Sequence, residues 1–113
     1  MYKVVVTAHF EKQLKPLVKK YRNLKLDIEK TLLNFDKSMH PALGNYTYKV
    51  RLKSSDLPRG KSKSFRLIVL LVEYKNLLAP IAIYFKGDRE DMAKSEVIYH
   101  LQMVISELQG GVN

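Results

Sequence analysis

The sequence predicts an α+β fold: a small, antiparallel-rich sheet with two N-terminal helices packed on one face and a C-terminal helix after it. Three observations predict it. Apolar residues recur every three to four positions near both ends of the chain, they follow strand periodicity between residues 48 and 85, and the links between those strands are short. A chain of 113 residues, 46% of them apolar, suits one core, so residues 1–113 are expected to form one domain.

Each element has its own signal. Val4, Val5 and Val6 form a β-branched run that reads as a first strand, and Thr7 offers an N-cap for the helix behind it. Phe10, Leu14, Leu17, Val18 and Tyr21 then mark one helical face, with Lys12, Lys15, Lys19 and Lys20 mostly off it. Pro16 falls inside this pattern, so the helix must either kink there or begin only a few residues earlier. Leu24, Ile28, Leu32 and Phe35 mark a second helix, with Asp27 and Glu29 in its early turns. Residues 38–45 contain Pro41 and Gly44 without periodicity and read as the longest loop.

Beyond that loop Tyr48, Val50 and Leu52 alternate with Lys49, Arg51 and Lys53, which describes a half-buried strand with a cationic outer face. Residues 54–62, with Asp56, Pro58 and Gly60, read as a hairpin loop. Residues 65–72 are apolar at nearly every position, as in a central strand. Ile81, Ile83 and Phe85 form one more strand, which Gly87 and Asp88 end. Ile98, Leu101, Val104, Ile105 and Leu108 are the stripe of a last helix, stopped by Gly110 and Gly111. Glu90 and Asp91, with Asp88 as a possible cap, read as acids serving the dipole at that helix's start.

The charge balance bears on partners. Twenty Lys and Arg against eleven Asp and Glu leave +9, a field that draws polyanions or an acidic protein. The excess is densest in residues 45–66, which hold seven basic residues, Lys49, Arg51, Lys53, Arg59, Lys61, Lys63 and Arg66, against one acid. Serines, Tyr46, Phe65 and Tyr84 are interleaved with them, types that bind phosphates and stack on bases. Arg66 opens an otherwise apolar strand, so its charge must meet water, a carboxylate such as Asp56 or Glu73, or a ligand phosphate. Tyr84 shares a strand face with Lys86 and reads either as lining the same groove or as a core residue with a tethered hydroxyl.

Several classes are set aside. The chain has no cysteine, hence no disulfide framework or thiol chemistry. No signal-peptide pattern is present, and the apolar stretch 67–85 is interrupted by Glu73, Lys75, Asn76 and Pro80, so two strands and a turn explain it better than a membrane span. His9, His40 and His100 are scattered without metal-ligand spacing and read as surface or packing residues. Gly60-Lys61-Ser62 lacks the earlier glycine of a phosphate-binding loop, and neither a nucleophile elbow nor a dinucleotide fingerprint occurs.

The segments FEKQLKPLVKKY, YKVRLKSSDLPRGKSKSFRLIV and IAIYFKGDREDM resemble the RelE/ParE toxins of bacterial type II toxin-antitoxin pairs, closest to their RelE and HigB-like ribonuclease branch. In that branch a Tyr-Lys-x-Lys/Arg strand, a Gly-Lys-Ser loop and an aromatic-Arg pair build the active face. The match carries over to Lys49, Arg51, Lys61 and Arg66, and the family's Tyr-x-Lys to Tyr84 and Lys86. The resemblance implies a RelE-like fold and a cytoplasmic, ribosome-dependent endoribonuclease that cleaves mRNA in the A site and stops translation, with no cofactor or metal. Lys49, Arg51, Arg66, Tyr84 and Lys86 would then be catalytic, and Lys53, Arg59, Lys61, Lys63 and Arg89 would bind RNA. The 2′-oxygen of a ribose would attack the adjacent phosphate, with arginines stabilising the transition state and a lysine of lowered pKa, or a tyrosine, moving protons.

Implied partners are a cognate antitoxin, mRNA on the ribosome near the 16S rRNA of the A site, and operator DNA only through the antitoxin, with no membrane. Two family positions differ: an arginine after the last strand and a tyrosine in the tail are Gly87 and Ala93 here, with Arg89 and Tyr84 as possible substitutes. A ParE-like protein that inhibits DNA gyrase without cutting nucleic acid, and an inactive RNA-binding relative, are the alternatives. Retention of Lys49, Arg51, Arg66 and Tyr84 favours the nuclease.

Overall fold

A computed structural model describes residues 1–53 and 64–110. The elements are β1 (Lys3–Val4), α1 (Ala8–Lys20), α2 (Leu24–Leu33), β2 (Ala42–Gly44), β3 (Thr47–Leu52), β4 (Phe65–Val72), β5 (Leu77–Phe85) and α3 (Lys94–Leu108). The strands form one sheet in the order β1-β5-β4-β3-β2. Only the β1 and β5 pair is parallel, and the other neighbours are antiparallel.

Side-chain alternation along β4 divides the core. Phe65, Leu67, Val69 and Leu71 meet Phe10 and Leu14 of α1 and Leu24, Ile28 and Leu32 of α2. Ile68 and Leu70 meet Val97, Leu101 and Val104 of α3 on the opposite face. A strand covered on both sides must be apolar throughout, which is why residues 65–72 show no alternation. The expectation of α1 and α2 on one sheet face therefore holds, and α3 closes part of the other.

Four local expectations are refined. Thr7 caps α1 by accepting the Phe10 N–H at 3.3 Å, and the helix runs unbroken through Pro16, so it does not begin late. Its buried Phe10 and Leu14 hold the turns around the one backbone bond that proline lacks. The first strand is Lys3–Val4 rather than 4–6, because the chain leaves the sheet after the Val5 N–H meets the Leu78 carbonyl at 2.9 Å. The stretch read as a loop, 38–45, contains β2, a three-residue strand too short to show alternation. Its link to β3 passes through Asn45 and Tyr46 at φ +54° and +63°, the positive values that a tight hairpin turn uses.

β5 begins at Leu77 and contains Pro80. The Leu78 carbonyl faces β1, so Pro80, two residues on, directs its missing N–H toward the same edge just past the end of β1. Between the pairs Val69 with Pro80 and Ile68 with Ala82, Ile81 is an extra residue, a β-bulge. Gln13 of α1 serves the edge exposed there: its amide donates to the Ile81 carbonyl at 2.9 Å and its oxygen accepts from the Ile83 N–H at 3.3 Å.

Candidate functional site

The strand register brings the sequence-predicted residues into rows. Arg51 of β3 lies opposite Arg66 of β4, and Arg66 lies opposite Tyr84 of β5, so these residues form one line across three strands. One row on, Lys49 lies opposite Ile68. All four belong to the sheet face on which α3 packs, opposite Val50 and Leu52. Since α3 covers Ile68 and Leu70, the Arg51 and Arg66 end of the face stays open.

Arg66 is half-buried and donates from its guanidinium to Ser64 Oγ and, at 3.4 Å, to the Phe65 carbonyl. Among the described residues no carboxylate pairs with it, and Glu73, one of the two expected partners, pairs instead with Lys37 at 2.7 Å. The other, Asp56, lies outside the described residues, as do Arg59, Lys61 and Lys63. Lys53 follows β3 and is exposed. Lys86 follows β5, where its N–H holds the Ser64 carbonyl at 2.8 Å.

Tyr84 fits the reading of a core residue with a tethered hydroxyl: the ring is 6% exposed in the core beneath α3, and its hydroxyl donates to Asp91 Oδ1 at 3.0 Å. Burial above all, then the bond to Asp91, pushes its pKa up to about 12, so the phenol keeps its proton at neutral pH. Lys49 Nζ meets the same carboxylate oxygen at 3.1 Å, and the Met92 N–H donates to it at 2.8 Å. The Lys49 bond first, and the Met92 bond second, hold the Asp91 carboxyl below the usual carboxylate value. Lys49 thus has a carboxylate partner rather than cations alone around it.

This arrangement corrects the reading of Glu90 and Asp91 as dipole acids. α3 begins only at Lys94, with Ala93 as its N-cap, and Asp91 precedes it in a turn that reaches back to the sheet. Arg89 is tied into the same turn. Its Nε donates to the Asp91 carbonyl at 3.0 Å, its terminal nitrogens hold Glu96 at 2.5 and 3.1 Å, and its guanidinium lies 5.8 Å from the Tyr84 ring centre. A pocket of about 270 Å³, lined by Leu43, Lys49, Ile68, Asp91, Met92 and Lys94 among others, opens beside the cluster.

No protein-family model and no curated protein matches the sequence. Solved structures that match in three dimensions include two from E. coli. A chain of the intact E. coli RelBE toxin-antitoxin complex superposes with a TM-score of 0.51 at 19% identity, over 74% of this chain and 94% of that one. The free E. coli toxin RelE, in a variant with two arginines replaced by alanine, superposes with a TM-score of 0.53 at 20% identity, over 79% and 87%. The chain has the RelE-like fold.

Of the two differing positions, Gly87 has a local contact that bears on its residue type, and Ala93 has none among the described residues. A Cβ at Gly87 would run into the Phe85 ring, which is packed near Tyr21 and Phe65, so a side chain there requires that ring to shift. Arg89, two residues on, brings a guanidinium to the Tyr84 ring instead. Ala93 occupies the N-cap of α3.

Sequence reasoning separated His9 from His100, but the fold joins them where α1 meets α3. Nε2 of His9 lies 2.7 Å from Nδ1 of His100, so one ring donates to the other. The backbone N–H groups of Ala8 and His9 donate to the Glu107 carboxylate at 2.8 and 2.9 Å, clamping the start of α1 to the end of α3. Among the described residues no cluster of three or more metal-binding side chains occurs, and no helix is long and apolar enough to cross a membrane.

Proposed function

We propose that this chain, as a single domain over residues 1–113, is the toxin of a type II toxin-antitoxin pair and a metal-independent, ribosome-dependent endoribonuclease acting on mRNA in the A site. The observation that carries the reading is the Arg51, Arg66 and Tyr84 row, flanked by Lys49, whose Arg51 and Arg66 end lies on the open half of a RelE-like sheet.

The chemistry follows from the groups. Attack by a ribose 2′-oxygen, whose proton passes to water, forms a new bond to phosphorus and breaks the bond to the 5′-oxygen, leaving a cyclic phosphate and a 5′-hydroxyl. Negative charge grows on the phosphoryl oxygens in between, and the guanidinium groups of Arg51 and Arg66 stabilise it, that of Arg66 being held in place by Ser64 and the Phe65 carbonyl. The leaving oxygen requires a proton. Tyr84, protonated at neutral pH, is the group in the row suited to supply it. Lys49 and Lys86 add cationic contacts, and Lys53, Arg59, Lys61, Lys63 and Arg89 bind RNA. Positioning of the attacking 2′-oxygen falls to the ribosome.

An antitoxin is the second partner, and operator DNA is reached only through it. Support comes from the +9 charge and from an apolar groove of about 760 Å³ between α1 and α2. The groove is lined by Val6, Leu14, Ile28 and Leu32, with Lys12, Lys15 and Lys25 against Glu11 and Glu29 at its margin, and suits an apolar helix.

Expression of the chain alone in a bacterium tests the function. Incorporation of labelled amino acid should fall before that of labelled thymidine. Early loss of thymidine incorporation with translation intact would replace the nuclease reading by gyrase inhibition.

A further inference from the structure

Asp91 is an acid in the middle of a cationic site. Its Oδ1 receives three donors at once, the Met92 N–H at 2.8 Å, the Tyr84 hydroxyl at 3.0 Å and Lys49 Nζ at 3.1 Å. Three donors converging on one anionic oxygen is the geometry used to bind the oxygen of a phosphate. Tyr84 lies opposite Arg66 in the strand register, and that arginine has no carboxylate partner among the described residues. The Asp91 side chain is 61% exposed. It therefore caps the site from the solvent side, in a water-screened ion pair of the kind that is weakly held.

We infer that the Met92 N–H, the Tyr84 hydroxyl and Lys49 Nζ form an oxyanion subsite for a phosphate of single-stranded RNA, which Asp91 fills in the free protein and vacates when RNA binds. The inference rests on the proposed function, because it takes the ligand to be RNA. A carboxylate oxygen and a non-bridging phosphate oxygen offer these donors equivalent acceptors, so the exchange leaves no donor unpaired. Asp91 is then a brake on RNA binding rather than a support for it. Its position after β5 lets it swing out while its backbone carbonyl remains bonded to Arg89.

The test compares Asp91→Asn with Glu90→Gln, adjacent substitutions that remove the same charge, of which only the first weakens the internal anion. Both are titrated with a fluorescent 2′-O-methyl oligoribonucleotide, which cannot supply the attacking oxygen, at fixed salt and with melting curves to establish folding. Asp91→Asn should bind about three- to fivefold more tightly than Glu90→Gln, the range set by releasing one exposed ion pair. Its tyrosine absorbance titration should also show Tyr84 ionising below about 12. Asp91→Ala, which leaves no acceptor in the subsite, should tighten binding in the same sense.

Equal affinities of folded Asp91→Asn and Glu90→Gln, or weaker binding by Asp91→Asn, would overturn the inference. If the wild type binds and Arg66→Ala does not, the cationic face would still stand as the RNA site. Failure of every folded protein to bind the oligonucleotide would remove the RNA reading and the inference together.

Discussion

Replacing Arg66 by alanine separates the chemistry of the cationic row from its place in the fold. On the folding side, the substitution removes guanidinium bonds to Ser64 Oγ and the Phe65 carbonyl, each worth about 0.5–1.5 kcal/mol. It also relieves repulsion from Arg51, the cross-strand partner, by about 0.2–1 kcal/mol. The two effects oppose each other, and the expected net loss is about 1 kcal/mol, or roughly 5 °C in melting temperature. On the catalytic side, one preorganised donor to the transition state is lost. That costs about 3–4 kcal/mol, a rate decrease on the order of a hundred- to a thousandfold.

Activity should therefore collapse in a protein that still folds. Arg66→Lys should restore it only in part, because an ammonium keeps the charge without the forked geometry. Lys19→Ala is the matched control, an exposed cation in the last turn of α1 that lies off the row. The assay is growth on induction together with primer-extension mapping of a translated reporter mRNA, with thermal melting of each variant. Equal toxicity of folded Arg66→Ala and Lys19→Ala would refute the assignment of this face to catalysis.

Gln13→Leu should destabilise the fold by about 1–3 kcal/mol, because the Ile81 carbonyl and the Ile83 N–H at the bulge lose their partner; the urea midpoint measures it. Gln13→Glu, which keeps the acceptor and loses the donor, should fall between that variant and the wild type. Burial, and next the nearby His9, lower the His100 pKa below 6.5 in the folded state, and burial lowers that of His40. A depressed folded-state value means that the unfolded chain takes up the proton first, so stability present above pH 6.5 is lost as pH falls through the folded values. Urea unfolding across that window should show the decline, with a smaller slope in His100→Gln, and a flat profile would contradict it. A second decline belongs below pH 4.5, where Glu96, held low mainly by Arg89, and Asp91, held low mainly by Lys49, take up protons.

The parts of this protein that were legible in its sequence are those written in local periodicity. The extent of β4 was readable because both of its faces are buried and every position had to be apolar. The separation of Lys49 and Arg51 from Val50 and Leu52 was readable because a strand turns successive side chains to opposite faces. Tertiary structure decided the rest. β2 has three residues and exists because a hairpin turn folds it onto β3, so no window of sequence could show its period. Asp91 resembles a helix-start acid until β5 and α3 bring it against Lys49, 42 positions away, and Tyr84, seven positions away. The same holds for Gln13 at the bulge and for His9 beside His100, partners 91 residues apart. Propensity and period act over one or two turns of chain, whereas the partner of a polar side chain is chosen by which backbones the core packs together.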